Sequence, residues 1–233
     1  MSWYMQYLQS HIQSMSLTIS LVEKHRWKTD WLLNLGVDFT SVVNCGCNIG
    51  YETLALLWLL DAQEAVGVDK DRDSIDQAQS MVGNFLEDIK AIRRTLPYAR
   101  EIPQNLCLQV ESLLDKYEKR VLPSFMVADI TKTTDLLNDH FDLAYCERVL
   151  YHIACGDTKS AMKDVLFAVE EMARVTKPGG LIVAIEPNTC SPDDNTPVRL
   201  DQVFCQTGLT NVEIGKGLFS VEGKTAYAYL KPT

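Results

Sequence analysis

The residues with the clearest chemical meaning stand at the ends of short β-branched runs. The first run, Ser41-Val-Val43, leads into Asn44-Cys-Gly-Cys-Asn-Ile-Gly50 and then into an apolar stretch from Thr53 to Leu60. A turn that leaves a strand and opens onto a helix presents backbone N–H groups to an anionic or polar ligand group. Glycine is needed where the chain takes φ > 0 or approaches a ligand closely, which Gly46 and Gly50 satisfy. Asn48 is the non-glycine type that best tolerates a left-handed conformation. A dinucleotide fingerprint would require glycine at 46, 48 and 51, whereas the chain has Gly46, Asn48 and Tyr51. Asp69 closes the next run, Ala65 to Val68, where a carboxylate can accept both hydroxyls of a ribose. Asp129 follows Phe125 to Ala128 and precedes Ile130, an acid beside an apolar group that suits the amine and the face of an adenine. Taken singly, an Asp in such a position is more often a helix cap or a loop residue. Their recurrence at successive strand ends is what points to a nucleoside.

A fourth strand, Phe141 to Tyr145, ends at Cys146-Glu147 and is followed by Tyr151 and His152. Glu147, Tyr151 and His152 are the candidate catalytic residues, because histidine is the side chain that exchanges protons nearest neutral pH. A core position for Tyr151 and a loop cap for His152 are equally open. Cys45, Cys47 and Cys146 have no basic neighbour in sequence to make a thiolate, so they read as small packing residues.

Strands alternating with helices must position these groups. Helices are expected over residues 1–35 with a break before Trp27, from about Asp73, over Asp164 to Val175, and over Asp201 to Thr207 before Gly208. Lys177-Pro-Gly-Gly180 reads as a turn into the strand Leu181 to Ile185. Asn211 to Phe219 and Ala226 to Leu230, joined at Glu222-Gly223-Lys224, read as a hairpin. The fold expected is α/β: a doubly wound, mostly parallel seven-stranded sheet with a C-terminal antiparallel hairpin, N-terminal helices and a helical insertion. Residues 1–38 form a helical cap and 39–233 the main domain. The insertion, about 97–123, is inferred because Asp69 and Asp129 stand too far apart for one crossover helix; Leu106 to Val110 as a strand remains the alternative. Tyr4, Leu8, Ile12, Met15, Ile19 and Val22 share one face of the first helix. Tyr4, Tyr7 and His11 would reach an acceptor if that helix closed as a lid; packing is the alternative use of the face.

The 233 residues carry 31 acids against 22 bases, which argues against a broad nucleic-acid or anionic-lipid surface. The most apolar run, Leu54 to Leu60, is too short to span a membrane, and the first residues lack the pattern of a signal peptide. Seven scattered cysteines fit reduced thiols in a cytoplasmic protein, and none is at metal-site spacing with a second Cys/His pair, so no metal is expected.

From Ser41 to Leu230 the sequence resembles the class I S-adenosylmethionine-dependent methyltransferases. The resemblance rests on Val42 to Gly50, Val66-Gly-Val-Asp69, Val127-Ala-Asp-Ile130, Phe141 to His152 and Ala173 to Gly180. It implies S-adenosyl-L-methionine as cofactor, with S-adenosyl-L-homocysteine as product. The methionine part would lie over the turn Gly46, Cys47, Asn48 and Gly50, the ribose on Asp69, and the adenine on Asp129 and Ile130, with Asn44, Cys45 and Lys70 as further residues of the cofactor site. Cys146 and Glu147 would line the methyl-transfer face. The family usually has an acid at position 44 and glycine at 48, so Asn44 and Asn48 are departures that bear on cofactor affinity. The activity implied is in-line methyl transfer to O, N or C of a small molecule; an apolar face on an extra helix would be a natural contact for a homodimer. The alternatives are a protein carboxyl methyltransferase, suggested by Cys146-Glu-Arg-Val-Leu-Tyr151, and a non-catalytic cofactor-binding scaffold. The N-terminal helices, the insertion and Glu186 to Val198 are left to build the acceptor pocket.

Overall fold

A computed structural model describes residues 3–98, 103–155, 161–187, 200–212 and 224–233. The chain runs α1 (Trp3–Glu23), α2 (Arg26–Leu33), β1 (Ser41–Cys45), α3 (Tyr51–Leu59), β2 (Glu64–Asp69), α4 (Arg72–Thr95), α5 (Gln104–Tyr117), β3 (Ser124–Val127), β4 (Phe141–Glu147), α6 (Val149–Ala154), α7 (Ala161–Val175), β5 (Thr176–Pro187), α8 (Leu200–Gln206), β6 (Thr210–Asn211) and β7 (Lys224–Leu230). The seven strands form one sheet in the order β3-β2-β1-β4-β5-β7-β6. β3, β2, β1, β4 and β5 are mutually parallel, and β7 runs antiparallel to β5 and β6. This is the expected architecture. The order reverses between β1 and β4, which opens a crevice beyond their carboxyl ends.

All five residues of β1 are buried because helices cover both faces of the sheet. Val42, Leu143, Tyr145 and Val183 face one core with α1 to α5, while Val43, Cys45, Ala144, Cys146 and Ile182 face the other with α6 to α8. α3 is apolar on nearly every side, as suits a helix between the sheet and a further helical layer. Leu8, Met15, Val22, Trp31 and Leu32 of the N-terminal helices enter that same core.

Several expectations change in detail. Residues 104–117 are helical, so the strand alternative at Leu106 to Val110 falls away. Helix wins because Val110, Leu114 and Tyr117, at three- and four-residue spacing, bury one face. Tyr117 closes an aromatic cluster with Trp58 and Phe85, at centroid separations of 5.0 and 6.3 Å. Leu114→Ala is accordingly expected to lower the unfolding free energy by about 2 kcal/mol, measured by urea denaturation, because it empties a fully buried site. The turn at Lys177 to Gly180 lies inside β5 as a bulge: Thr176 pairs with Phe141, whereas Leu181 pairs with Leu143. Lys224 belongs to β7 rather than to the hairpin turn. The expected strand continues beyond Asn211 into residues 213–219, which with Glu222 and Gly223 lie outside the described residues, as does 188–199 of the expected acceptor loop. A short helix, α6, forms where the sequence pattern marked none. No described helix is long and apolar enough to cross a membrane.

Candidate functional site

The turn after β1 is tied down from β2. The N–H groups of Gly46 and Cys47 both donate to the Val68 carbonyl, at 2.7 and 2.9 Å. Gly46, Asn48 and Gly50 take φ of +74°, +47° and +87°, an alternation of left-handed residues that Asn48 adopts in place of glycine. Gly50 precedes α3, whose first turn carries Glu52, an acid placed where the helix dipole favours it. Asp69 secures the turn: its Oδ2 accepts Asn48 N–H at 2.9 Å, and its Oδ1 accepts Asp71 N–H at 3.0 Å. Each oxygen retains a lone pair for a ligand hydroxyl.

A cleft of about 1040 Å³ lies over this turn. Of the cofactor candidates, Gly46, Cys47, Asn48, Gly50, Asp69, Lys70, Asp129, Ile130 and Glu147 line it. Asp129 also serves as a loop residue in an Asx turn, its Oδ1 accepting Thr131 N–H and Oγ–H at 3.1 and 2.7 Å. Burial raises its pKa, but Lys132 and Thr131 outweigh this and hold it below the ordinary value. The chemistry of the lining suits a cationic nucleoside: Glu52, Asp69, Asp129, Glu147 and Asp164 face Lys28, Lys70 and Arg148.

Three candidates lie behind the lining. Cys45 and Cys146 are buried in the core, where desolvation raises both thiol pKa values. Cys47 does line the cleft, yet burial pushes its thiol up to about 12, so it too stays protonated. Asn44 is fully buried, and its Nδ2 donates to Thr53 Oγ1 at 3.0 Å. Its Oδ1 finds no hydrogen-bond partner among the described residues. Asn44 therefore couples β1 to α3 beneath the turn.

Of the catalytic candidates, His152 and Glu147 line the cleft and Tyr151 does not; its ring packs edge-on against His152 at 5.3 Å. Tyr7 and His11 of the lid set are not brought to the cleft. His11 Nδ1 lies 2.7 Å from Asp88 Oδ1 on α4, and Tyr7 stacks on Trp3 and meets His11 edge-on. The backbone of Tyr4 lies within α1, on which nothing further is described. α1 docks along α4 because its apolar face meets Phe85 and Ile89 there. The described residues of the insertion likewise supply no lining residue, and they pack on α3 and α4.

What the sequence reading missed comes from α2 and from the start of α6. Lys28 is buried, with Nζ 2.6 Å from Glu52 Oε1 and hydrogen-bonded to Glu147 Oε2. His25 Nδ1 stands 3.4 Å from Glu52 Oε1, and Tyr145 donates its hydroxyl to that oxygen at 3.0 Å. Burial would raise the Glu52 pKa, but His25 and Lys28 outweigh it and hold the carboxyl down to about 2. A signal for Lys28 was present: it shares the buried stripe of α2 with Trp31 and Leu32, and a charge in an apolar stripe implies a buried partner. At α6, Arg148 takes φ +60°, and Glu186 accepts the N–H groups of Leu150 and Tyr151, each at 3.0 Å. That carboxylate fixes the helix that carries Arg148, Val149, His152 and Ile153 along the cleft wall.

Residues 104–184 match the family described as "Methyltransferase domain", a segment from the start of α5 into β5. No curated protein matches the chain. Among solved structures, the chain is similar to the N-methyltransferase NodS from Bradyrhizobium japonicum WM9, with TM-score 0.54, 16% identity, and coverage of 92% of this chain and 98% of that one. It is also similar to an S-adenosylmethionine-dependent methyltransferase from Clostridium acetobutylicum ATCC 824, with TM-score 0.57, 11% identity and coverage of 89% and 92%. A third is the putative methyltransferase solved in complex with the Haloferax volcanii Trm112 methyltransferase activator, with TM-score 0.53, 15% identity and coverage of 100% and 99%.

Proposed function

We propose that this chain, which has the fold of the class I S-adenosylmethionine-dependent methyltransferases, transfers a methyl group from S-adenosylmethionine to a small-molecule acceptor. The observation that carries this reading is the cleft at the sheet's switch point. It joins the Gly46 to Gly50 turn, Asp69 and Asp129 in one concave, net acidic space large enough for a nucleoside cofactor with an acceptor beside it.

When bound, S-adenosylmethionine supplies an electrophilic methyl on a sulfonium, and in-line transfer leaves neutral S-adenosylhomocysteine. The chain's own work is alignment and desolvation. Asp69 accepts the ribose hydroxyls while holding the turn through Asn48 N–H. Asp129 and Ile130 take the edge and face of the adenine. Glu52 and Glu147 supply negative charge at the end of the cleft nearest the turn. Val149 and Ile153 form an apolar wall that limits water. His152 takes the acceptor's proton where the acceptor carries one at neutral pH. The protein acts in the cytoplasm, with no nucleic acid or membrane as partner, and a homodimer is its proposed assembly.

Calorimetric titration with S-adenosylhomocysteine tests the reading. Micromolar binding is expected, lost on Asp69→Ala with the unfolding midpoint followed as a control for the turn. No heat from folded wild type at millimolar ligand would sink it. A binding-competent protein is then offered labelled cofactor with lysate. Label in small metabolites supports the acceptor class proposed, and label in proteins supports carboxyl methylation instead. A second reading, partner-dependent or non-catalytic, is favoured by the unpartnered Oδ1 of Asn44 where the family usually has an acid. The similarity to a protein solved with an activator points the same way. Turnover by the isolated chain, abolished by Asp69→Ala, would exclude it.

A further inference from the structure

The buried ion cluster at the cleft is assembled from three elements. Lys28 comes from α2, Glu52 from α3, and Tyr145 and Glu147 from β4, with His25 from the link between α1 and α2. Only 8% of the Lys28 side chain is exposed, against 16% for Glu52 and 12% for Glu147. Three charges this far from water are retained only when they are mutually paired. The Tyr145 hydroxyl lies 3.0 Å from Glu52 Oε1 and 3.4 Å from Glu147 Oε2, so the two carboxylates share one small volume. Cys47 and Cys146, two further thiols that sense Glu52, are held neutral by burial.

We propose that Lys28 is a specificity-determining residue of the cofactor site. Its ammonium pairs with both Glu52 and Glu147 and so sets how much of their negative charge the cleft presents to a sulfonium cofactor as against its neutral thioether product. This rests on the cofactor reading above. The N-terminal helices then belong to the site through α2 and not through a lid formed by α1.

Removing Lys28 has two consequences by ordinary electrostatics. Where both carboxylates stay ionised, the cluster becomes more negative by one charge and favours the sulfonium further. Where the pH allows, the crowded pair takes up one proton instead, because two adjacent carboxylates resist joint ionisation. Sulfonium binding then expels that proton, and thioether binding does not.

The two ligands differ by one methyl group and one charge. The ratio of their affinities therefore cancels contacts to adenosine and to the amino-acid part and reads the field at sulfur. The test is calorimetry of the full chain with S-adenosylmethionine and S-adenosylhomocysteine, at about pH 8.5 and about pH 6, in buffers of differing ionisation enthalpy. Lys28→Met is expected to raise the preference for the charged ligand on the order of tenfold at the higher pH. The gain should shrink at the lower pH, with proton release specific to S-adenosylmethionine. Glu147→Gln should lower the preference on the order of tenfold, and the double variant should return it towards wild type. Lys28→Arg, which keeps the charge, should leave it in place. If Lys28→Met does not fold, Glu147→Gln and the charge-balanced double variant carry the same test.

A Lys28 that merely anchors α2 would change both affinities together. Ratios within about twofold of wild type in the folded variants at both pH values would overturn the proposal while leaving the cofactor reading intact. Wild type that binds neither ligand would overturn both.

Discussion

Gly46→Ala is expected to unfold at markedly lower denaturant than wild type and to lose S-adenosylhomocysteine binding. Two independent terms add. Gly46 sits at φ +74°, where a residue with a Cβ is strained by roughly 1 kcal/mol. The added Cβ would also overlap Cγ2 of Val149, and overpacking of this kind costs about 1–3 kcal/mol. The sum, about 2–4 kcal/mol, is a large share of a typical domain's stability. Val149 opens α6 and lines the cleft, so relief of the clash moves the wall that carries His152. Gly208→Ala is the matched control. Its φ is +72°, but no described residue lies within 4 Å of the added Cβ, so only the backbone term of about 1 kcal/mol is expected. Equal losses in the two variants would show that the Val149 contact carries no weight.

The stability of wild type is expected to fall by about 3 kcal/mol between about pH 5 and about pH 8 on account of Glu186 alone. Burial raises its pKa from 4.5 to about 7, against the opposing pull of the Tyr151 and Leu150 N–H groups and the Cys146 thiol. The folded chain therefore keeps this proton up to about pH 7, while the unfolded chain releases it near 4.5. Stability is gained on the acid side of that interval and lost as pH rises through it. Glu52 and Asp142, both held down to about 2, behave oppositely: their stabilising share fades only below the usual carboxylate range and leaves the interval clear. Urea titrations of Glu186→Gln across the same pH values should show a flattened dependence. An unchanged slope would mean that Glu186 titrates in the folded chain as it does in the unfolded one.

Much of the frame follows from local pattern. Short β-branched runs separated by helical stretches specify strands and helices through nearest-neighbour sterics and periodicity, and buried parallel strands such as β1 are recognisable because both faces must be apolar. The left-handed positions at Gly46, Asn48 and Gly50 were legible for the same reason, since backbone tolerance belongs to the residue itself. Asp69 and Asp129 fall at the cleft because the ends of successive parallel strands share one edge of the sheet.

What the tertiary structure decided is which side chains meet. Cys45 and Cys146 sit near the expected cofactor in sequence, yet side-chain alternation along β1 and β4 turns both into the core. His11 is drawn to Asp88, 77 positions away, because the apolar face of α1 is satisfied along α4 and nothing holds that helix over the cleft. α6 forms where no periodic pattern marks it, because Glu186, 36 positions on, satisfies its first backbone donors. Lys28 meets Glu147 across 119 positions. Propensity and spacing report the preferences of a segment, whereas an ion pair of that span exists only after the sheet has brought the carboxyl ends of its strands together beneath α2.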